Sequence, residues 1–156
     1  MPEVAEVSTD NNCSVARTLA VVGEKWSLLV LREAFFGITR FEEFQRRIGC
    51  ARNLLTQRLA TLVEHGVLHR DSYQEPGQRA RPEYHLTDKG RELYPVLVAL
   101  MQWGDRYVAD PAGPSVLLTH HDCGESVHAV LTCGAGHDQL TRADVDLNPG
   151  PGAHRG

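Results

Sequence analysis

The chain has 156 residues, 42% hydrophobic and 23% charged, enough for one packed core with a small appendage and too few for a multidomain enzyme of ordinary size. Its longest apolar runs, such as Val96 to Met101, fall far short of the ~18 to 20 residues of a membrane span, and no charged-then-apolar leader precedes a cleavage site. A soluble, cytoplasmic protein without a membrane partner is expected. The net charge of −4 is unevenly spread: residues 40–81 carry eight arginines and no lysine against five acidic residues, whereas the stretches on either side are acidic. Arginine suits forked contacts with phosphate or guanine, although on charge alone a solvated face is the preferred reading. An aromatic content of 6% argues against a base-stacking platform. Cys13, Cys50, Cys123 and Cys133 are too scattered for a disulfide framework, which fits reducing surroundings and leaves thiol or metal chemistry open.

Residues 1–12, MPEVAEVSTDNN, are polar and acidic without a period and read as a loose arm. Order begins near Cys13, where Ser14 can cap a short helix carrying Val15, Leu19 and Val22 and closing at Gly23. The next stretch, KWSLLVLREAFFG, is apolar on nearly all sides, the pattern of a helix in the centre of a core. A third helix starts at Phe41 with Thr39 as its expected cap; Phe41, Phe44 and Ile48 share a face, and Gly49 ends it. After Cys50 and Ala51 comes RNLLTQRLATLVEHG, in which Leu55, Leu59, Leu62 and Val63 form an inner stripe. Projection at about 100° per residue places Asn53, Gln57, Ala60 and Glu64 opposite that stripe and Thr56 at its shoulder.

Past Gly66 the pattern alternates: VLHRDSY and PEYHL flank a turn at Pro76-Gly77, a two-stranded hairpin with an arginine-bearing tip. Thr87 and Asp88 then open a long helical pattern in which Leu93, Leu97, Leu100 and Tyr107 line up, widened by Val96 and Trp103, with Pro95 predicting a kink or late start. A stripe that wide exceeds what one hairpin covers, so part of it is expected to meet a second copy. Four helices, a hairpin and a final helix, with a short glycine-containing turn between the third and fourth, make a mainly α winged helix-turn-helix with a small β wing. The expected divisions are residues 1–12 as arm, 13–110 as the winged helix-turn-helix, 111–147 as a Cys/His-containing extension and 148–156 as a disordered tail.

From Cys13 to about Tyr107, two thirds of the chain, the sequence resembles the HxlR-type family of bacterial winged-helix transcriptional regulators. The resemblance rests on Cys-x-Val-Ala at Cys13, Gly-x-Lys-Trp at Gly23 to Trp26 and Arg-Phe-x-x-Phe at Arg40 to Phe44. Leu-Thr-x-x-Leu at Leu55 to Leu59 and Leu-Thr-x-x-Gly at Leu86 to Gly90 complete it in order. It implies a homodimer joined mainly by the first and last helices and bound to an inverted-repeat operator on double-stranded DNA. Where the family commonly opens the recognition helix with serine, this chain has Ala51, which removes the usual hydroxyl cap.

If Arg52 to His65 is the recognition helix, its first turn enters the major groove, and Arg52, Asn53, Thr56 and Gln57 become the candidate base readers. Arginine can fork onto guanine, and Asn or Gln can bond adenine in paired fashion. Arg58 lies on the flank; Arg40, Arg46 and Arg47 are candidate phosphate clamps, and Arg79 and Arg81 sit where a wing reaches the backbone or minor groove. Ordinary solvated surface is the competing reading for each. Trp26, Phe35, Phe41 and Phe44 have the spacing of core rather than of a ligand box.

Cys13, just before a helix, is a candidate redox thiol, as it is in some members of the resembled family. Cys50, at the entrance to the recognition helix, is its candidate partner across the dimer; two unreactive small residues are the alternative. Half of the eight histidines and half of the cysteines fall between His120 and His137. The groups THHDCG and TCGAGH look like a worn zinc ribbon, with Gly136 where a second cysteine would stand. His120 or His121 with Cys123, Cys133 and His137 supplies four ligands for zinc; a small metal-free hairpin is the competing reading. No nucleophile sits in a recognised motif with base and oxyanion partners, and no phosphate-binding glycine loop occurs, so no enzyme is expected. A ligand-responsive repressor of the related MarR type, or a metal-handling protein built on the tail, are the alternative functions. The effector and the operator are not written in the residues.

Overall fold

The computed structural model describes residues 12–152; the expected arm, apart from Asn12, and the last four residues of the expected tail lie outside that range. The described residues divide into two compact units, one of Val15–Leu97 and the other of residues 98–152 together with residues 12–14, so the division falls inside the last long helix.

The first unit runs α1 (Ser14–Val22, entered one residue earlier), α2 (Lys25–Phe35), α3 (Phe41–Ile48), α4 (Arg52–Glu64), β1 (Leu68–Tyr73), β2 (Arg81–Leu86), α5 (Asp88–Arg91) and the start of α6 (Tyr94–Tyr107). Its core gathers Val30 and Leu31 of α2, Phe41 and Phe44 of α3, Leu55, Leu59 and Leu62 of α4, and Val67, Leu68 and Tyr84 of the hairpin. Trp26 packs against this core and Phe35 lies tilted on Tyr94, with ring centroids 4.9 Å apart, so these aromatics are structural. The three α4 leucines are fully buried, and at about 2 kcal/mol each they fix how that helix is rotated. That rotation settles which side chains α4 shows to solvent.

Two local expectations change. Arg40, in extended conformation, is the residue that caps α3, not Thr39, whose backbone carbonyl instead accepts from the amide of Tyr84 at 2.8 Å. The residues before α3 thereby pair with the outer edge of β2, and an Arg40–Glu83 bridge continues the pairing. The helical pattern after Thr87 also splits in two. The Thr87 hydroxyl accepts from the amide of Gly90 at 3.0 Å and starts α5, while Pro95 falls in the first turn of α6, where its missing N–H costs nothing. Gly90 is required by close approach: a Cβ there would stand 2.1 Å from the Val67 carbonyl oxygen.

The hairpin is antiparallel with Leu68 opposite Leu86, His69 opposite His85 and Tyr73 opposite Arg81. Its tip turns through Glu75-Pro76-Gly77-Gln78, closed by Gln78 N–H to the Glu75 carbonyl at 3.0 Å; Pro76 presets the second position, and the positive φ of Gly77, 74°, suits the third. In the second unit, residues 111–152 form two small hairpins and one 3₁₀ turn at Arg142–Asp144. Gln102 of α6 clamps the segment between the hairpins, donating to the Val127 carbonyl at 2.7 Å and accepting from the Ala129 amide at 2.9 Å.

Candidate nucleic-acid interface

With its leucines turned inward, α4 presents Arg52, Asn53, Thr56, Gln57 and Ala60 to solvent. Ala51 precedes the helix without a side-chain cap, so the first-turn amides are left for solvent or an anion. The Thr56 hydroxyl donates to the Arg52 carbonyl at 3.0 Å, which spends its proton within the helix and leaves its oxygen as an acceptor. Arg52 lies over the ring of Phe41 at 4.6 Å with Glu42 at 3.9 Å, a loose hold on a side chain 63% exposed. Asn53 and Gln57 carry no side-chain bond among the described residues and stand as open amide edges.

The arginines of residues 40–81 fall into two groups. One group is engaged by carboxylates. Arg47 reaches from α3 to Glu33 of α2, whose carboxylate is 3% exposed and also takes a forked pair from Arg32 at 2.6 and 2.8 Å. Arg58 meets Glu24 at 2.9 Å and is only 23% exposed, with a buried Nε that has no partner. Arg40 lies 4.0 Å over the ring of Tyr73, 3.0 Å from Glu75 and 3.5 Å from Glu83. Partial desolvation opposes its charge, but Tyr73, Glu75 and Glu83 together hold its pKa above the usual guanidinium value. Arg46, 73% exposed, has a loose contact with Glu43 at 3.6 Å.

The second group, with no carboxylate within 4.0 Å among the described residues, is Arg70, Arg79 and Arg81, all on the hairpin and all exposed. Arg79 is in the tip as expected, whereas Arg81 begins β2 opposite Tyr73. Arg70 on β1 was not among the sequence candidates; the exposed alternation of HRDSY carried the signal. Of the arginines in residues 40–81, those without a carboxylate partner among the described residues therefore sit on the wing, while α4 offers mainly amides. That arrangement suits a phosphate-seeking arm beside a base-reading helix.

The remaining candidates separate by burial. Cys50 is 6% exposed within the core, and Cys13 is partly exposed; both are free thiols. In the extension, Cys123 Sγ lies 3.3 Å from His120 Nδ1 and Cys133 Sγ 3.1 Å from His137 Nδ1. His121 turns instead to Asp122 at 2.9 Å, so the structure pairs His120, not His121, with the thiol. Backbone amides of Ala135, His137 and Gly136 aimed at the Cys133 sulfur hold its thiol below the usual cysteine range.

Comparison with known proteins follows this geometry. Residues 21–112 match the family model described as HxlR-like helix-turn-helix. An uncharacterised HTH-type transcriptional regulator of Mycobacterium tuberculosis, Rv3095, is 46% identical over 139 residues, 89% of this chain and 87% of the relative. A second such regulator, from Synechocystis, is 38% identical over 71% of the chain and 82% of its own length. Among solved structures, a candidate transcription factor, PA1607, is similar at 42% identity with a TM-score of 0.78, covering 89% of this chain and 96% of that one. The redox regulator HypR in its reduced form is similar at 33% identity with a TM-score of 0.55, over 60% of this chain and 92% of its own.

Proposed function

The chain belongs to the HxlR-like helix-turn-helix family of transcriptional regulators, and from that premise we propose that it binds duplex DNA as a homodimer on an inverted-repeat operator, with α4 in the major groove and the β1–β2 wing on the flanking backbone. The observation that carries the division of labour is the contrast between the open amide face of α4 and the unpaired arginines of the wing. Arg52, Asn53, Thr56 and Gln57 read base edges; Arg79, Arg81 and the additional Arg70 seek phosphate, joined by the loosely held Arg46. Arg40, Arg47 and Arg58 serve the interface indirectly by fixing α2, α3 and the wing through their carboxylates.

Two apolar faces support the homodimer. On α1, Val15 and Leu19 are 68% and 57% exposed, and on α6 Val96, Leu100, Trp103 and Tyr107 recur at helical spacing and are each 45% exposed or more. Leu93 and Leu97, on another side of the same pattern, pack against the core. A cytoplasmic, bacterial setting is part of the same reading, and no helix among the described residues is long and apolar enough to cross a membrane. Family membership points away from an enzyme and toward DNA as the partner.

The test is anisotropy titration of labelled duplexes from the region upstream of the protein's own gene across a salt series. Gln57→Ala is expected to change the preferred sequence, each paired amide–adenine contact carrying about 1–3 kcal/mol of discrimination. Arg79→Ala is expected to weaken all duplexes alike and to reduce the salt slope by about 1. Uniform loss of affinity in both variants would remove α4 from the base-reading role.

A further inference from the structure

The extension poses a folding problem of its own. Across residues 111–152 no side chain is buried, and Leu117, Val130, Leu131 and Leu147 are all more than half exposed. Ordering a segment of this size costs conformational entropy that buried apolar area normally offsets, and segments of about 40 residues without a core generally need a metal, disulfide or partner as a staple. The Gln102 clamp ties down only the segment between the hairpins.

Both hairpins place the same chemistry at their tips. In the first, Val127 N–H bonds the Leu118 carbonyl at 2.9 Å, His120 N–H the Glu125 carbonyl at 2.8 Å and Gly124 N–H the His120 carbonyl at 2.7 Å, bringing His120 and Cys123 together. In the second, Leu140 N–H bonds the Leu131 carbonyl at 3.1 Å and Cys133 N–H the His137 carbonyl at 2.9 Å, bringing Cys133 and His137 together. Each tip turns on a glycine with positive φ, Gly124 at 74° and Gly136 at 89°, and each contributes one sulfur and one imidazole nitrogen. Two sulfurs and two nitrogens are a complete tetrahedral set for zinc, and two thiolates neutralise its charge.

We propose that the extension is a zinc-binding module in which His120 and Cys123 of one tip and Cys133 and His137 of the other close around a single Zn²⁺ within one chain. Each pair supplies half of the ligand set. Among the described residues the one group of three or more possible ligands whose atoms lie within 4.8 Å of one another is His120, His121 and Asp122, so the tips move together on binding. Both thiols lose their protons to solvent as the two Zn–S bonds form, and both imidazoles bind as neutral rings. Gly136, which departs from a Cys-x-x-Cys spacing, is thereby replaced as a ligand by its neighbour His137. The site belongs to the extension and does not depend on the DNA-binding reading.

The experiment uses the full chain without a histidine tag. Zinc content is measured after purification under reducing conditions, together with hydrogen exchange of residues 118–140 before and after a chelator, and cobalt titration of the stripped protein. The expected results are one zinc per chain, amide protection in both hairpins lost on chelation and restored by Zn²⁺, and the visible absorption of a tetrahedral thiolate-bound Co²⁺. Cys123→Ser, Cys133→Ser, His120→Ala and His137→Ala are each expected to lose the metal, whereas His121→Ala keeps it and exchange in α2 to α4 is unchanged throughout. Zinc retained by Cys133→Ser or lost from His121→Ala would move the ion to the His120–His121–Asp122 group and overturn the proposal. So would hairpin protection indifferent to the chelator.

Discussion

Replacing Arg47 with alanine separates two roles that the sequence left equal. As a phosphate clamp, Arg47 would act on affinity; as placed, it reaches Glu33, whose side chain is almost wholly buried on α2. A hydrogen bond to a charged group contributes about 1.5–3 kcal/mol when shielded. The guanidinium here is 44% exposed, and Arg32 still neutralises one carboxylate oxygen after the change, so solvent screening brings the expected loss to about 1–2 kcal/mol. For a chain of this size that corresponds to a fall in Tm of roughly 2–8 °C in a thermal melt. Glu33→Gln is expected to destabilise by a similar amount, and the double variant by less than the sum, because the two changes remove one shared interaction. Anisotropy titrations at a temperature where all variants are folded should show an unchanged salt slope. A parental Tm combined with a salt slope reduced by about 1 would refute the reasoning and return Arg47 to the DNA backbone.

Trp103→Glu, which puts a charge in the middle of the exposed α6 stripe, is expected to halve the mass measured by sedimentation while leaving the far-UV spectrum of the fold intact. Gly90→Ala drives a methyl group into the Val67 carbonyl and is expected to cost about 3 kcal/mol or more, seen as a lower denaturation midpoint; a neutral substitution would mean that the α5–β1 approach is looser than described. In chelator-treated native protein, iodoacetamide should label Cys123 and Cys133 rapidly and Cys50 only on unfolding, since Cys50 packs in the core. Rapid labelling of Cys50 would favour its pairing with Cys13 as a redox device.

Helical periodicity made α4 legible because three leucines at one spacing admit one rotation, and from that rotation the outward amides follow. The hairpin was legible from its alternation and from Pro76-Gly77, whose conformational preferences are local. Less visible were interactions spanning distance in the chain. Nothing near Arg47 or Arg58 announces that Glu33 and Glu24, 14 and 34 residues away, will take their charge, so a carboxylate-bound arginine looked the same as one open to phosphate. Thr39 has the chemistry of a cap, but the pairing of its carbonyl with Tyr84, itself set by the fold, moved the cap to Arg40. His120 and His121 are neighbours that spacing alone cannot rank; the turn at Gly124 decides which one meets the sulfur.

Arg40 fastens the start of α3 to both strands of the hairpin at once, stacking on Tyr73 at the end of β1 and meeting Glu83 on β2. In the proposed complex, the wing is thereby braced against the segment that leads into the two-helix reading motif. Accommodation to operators of different half-site separation would, in that complex, fall to the joint between copies, and the span read by each copy alone would stay constant.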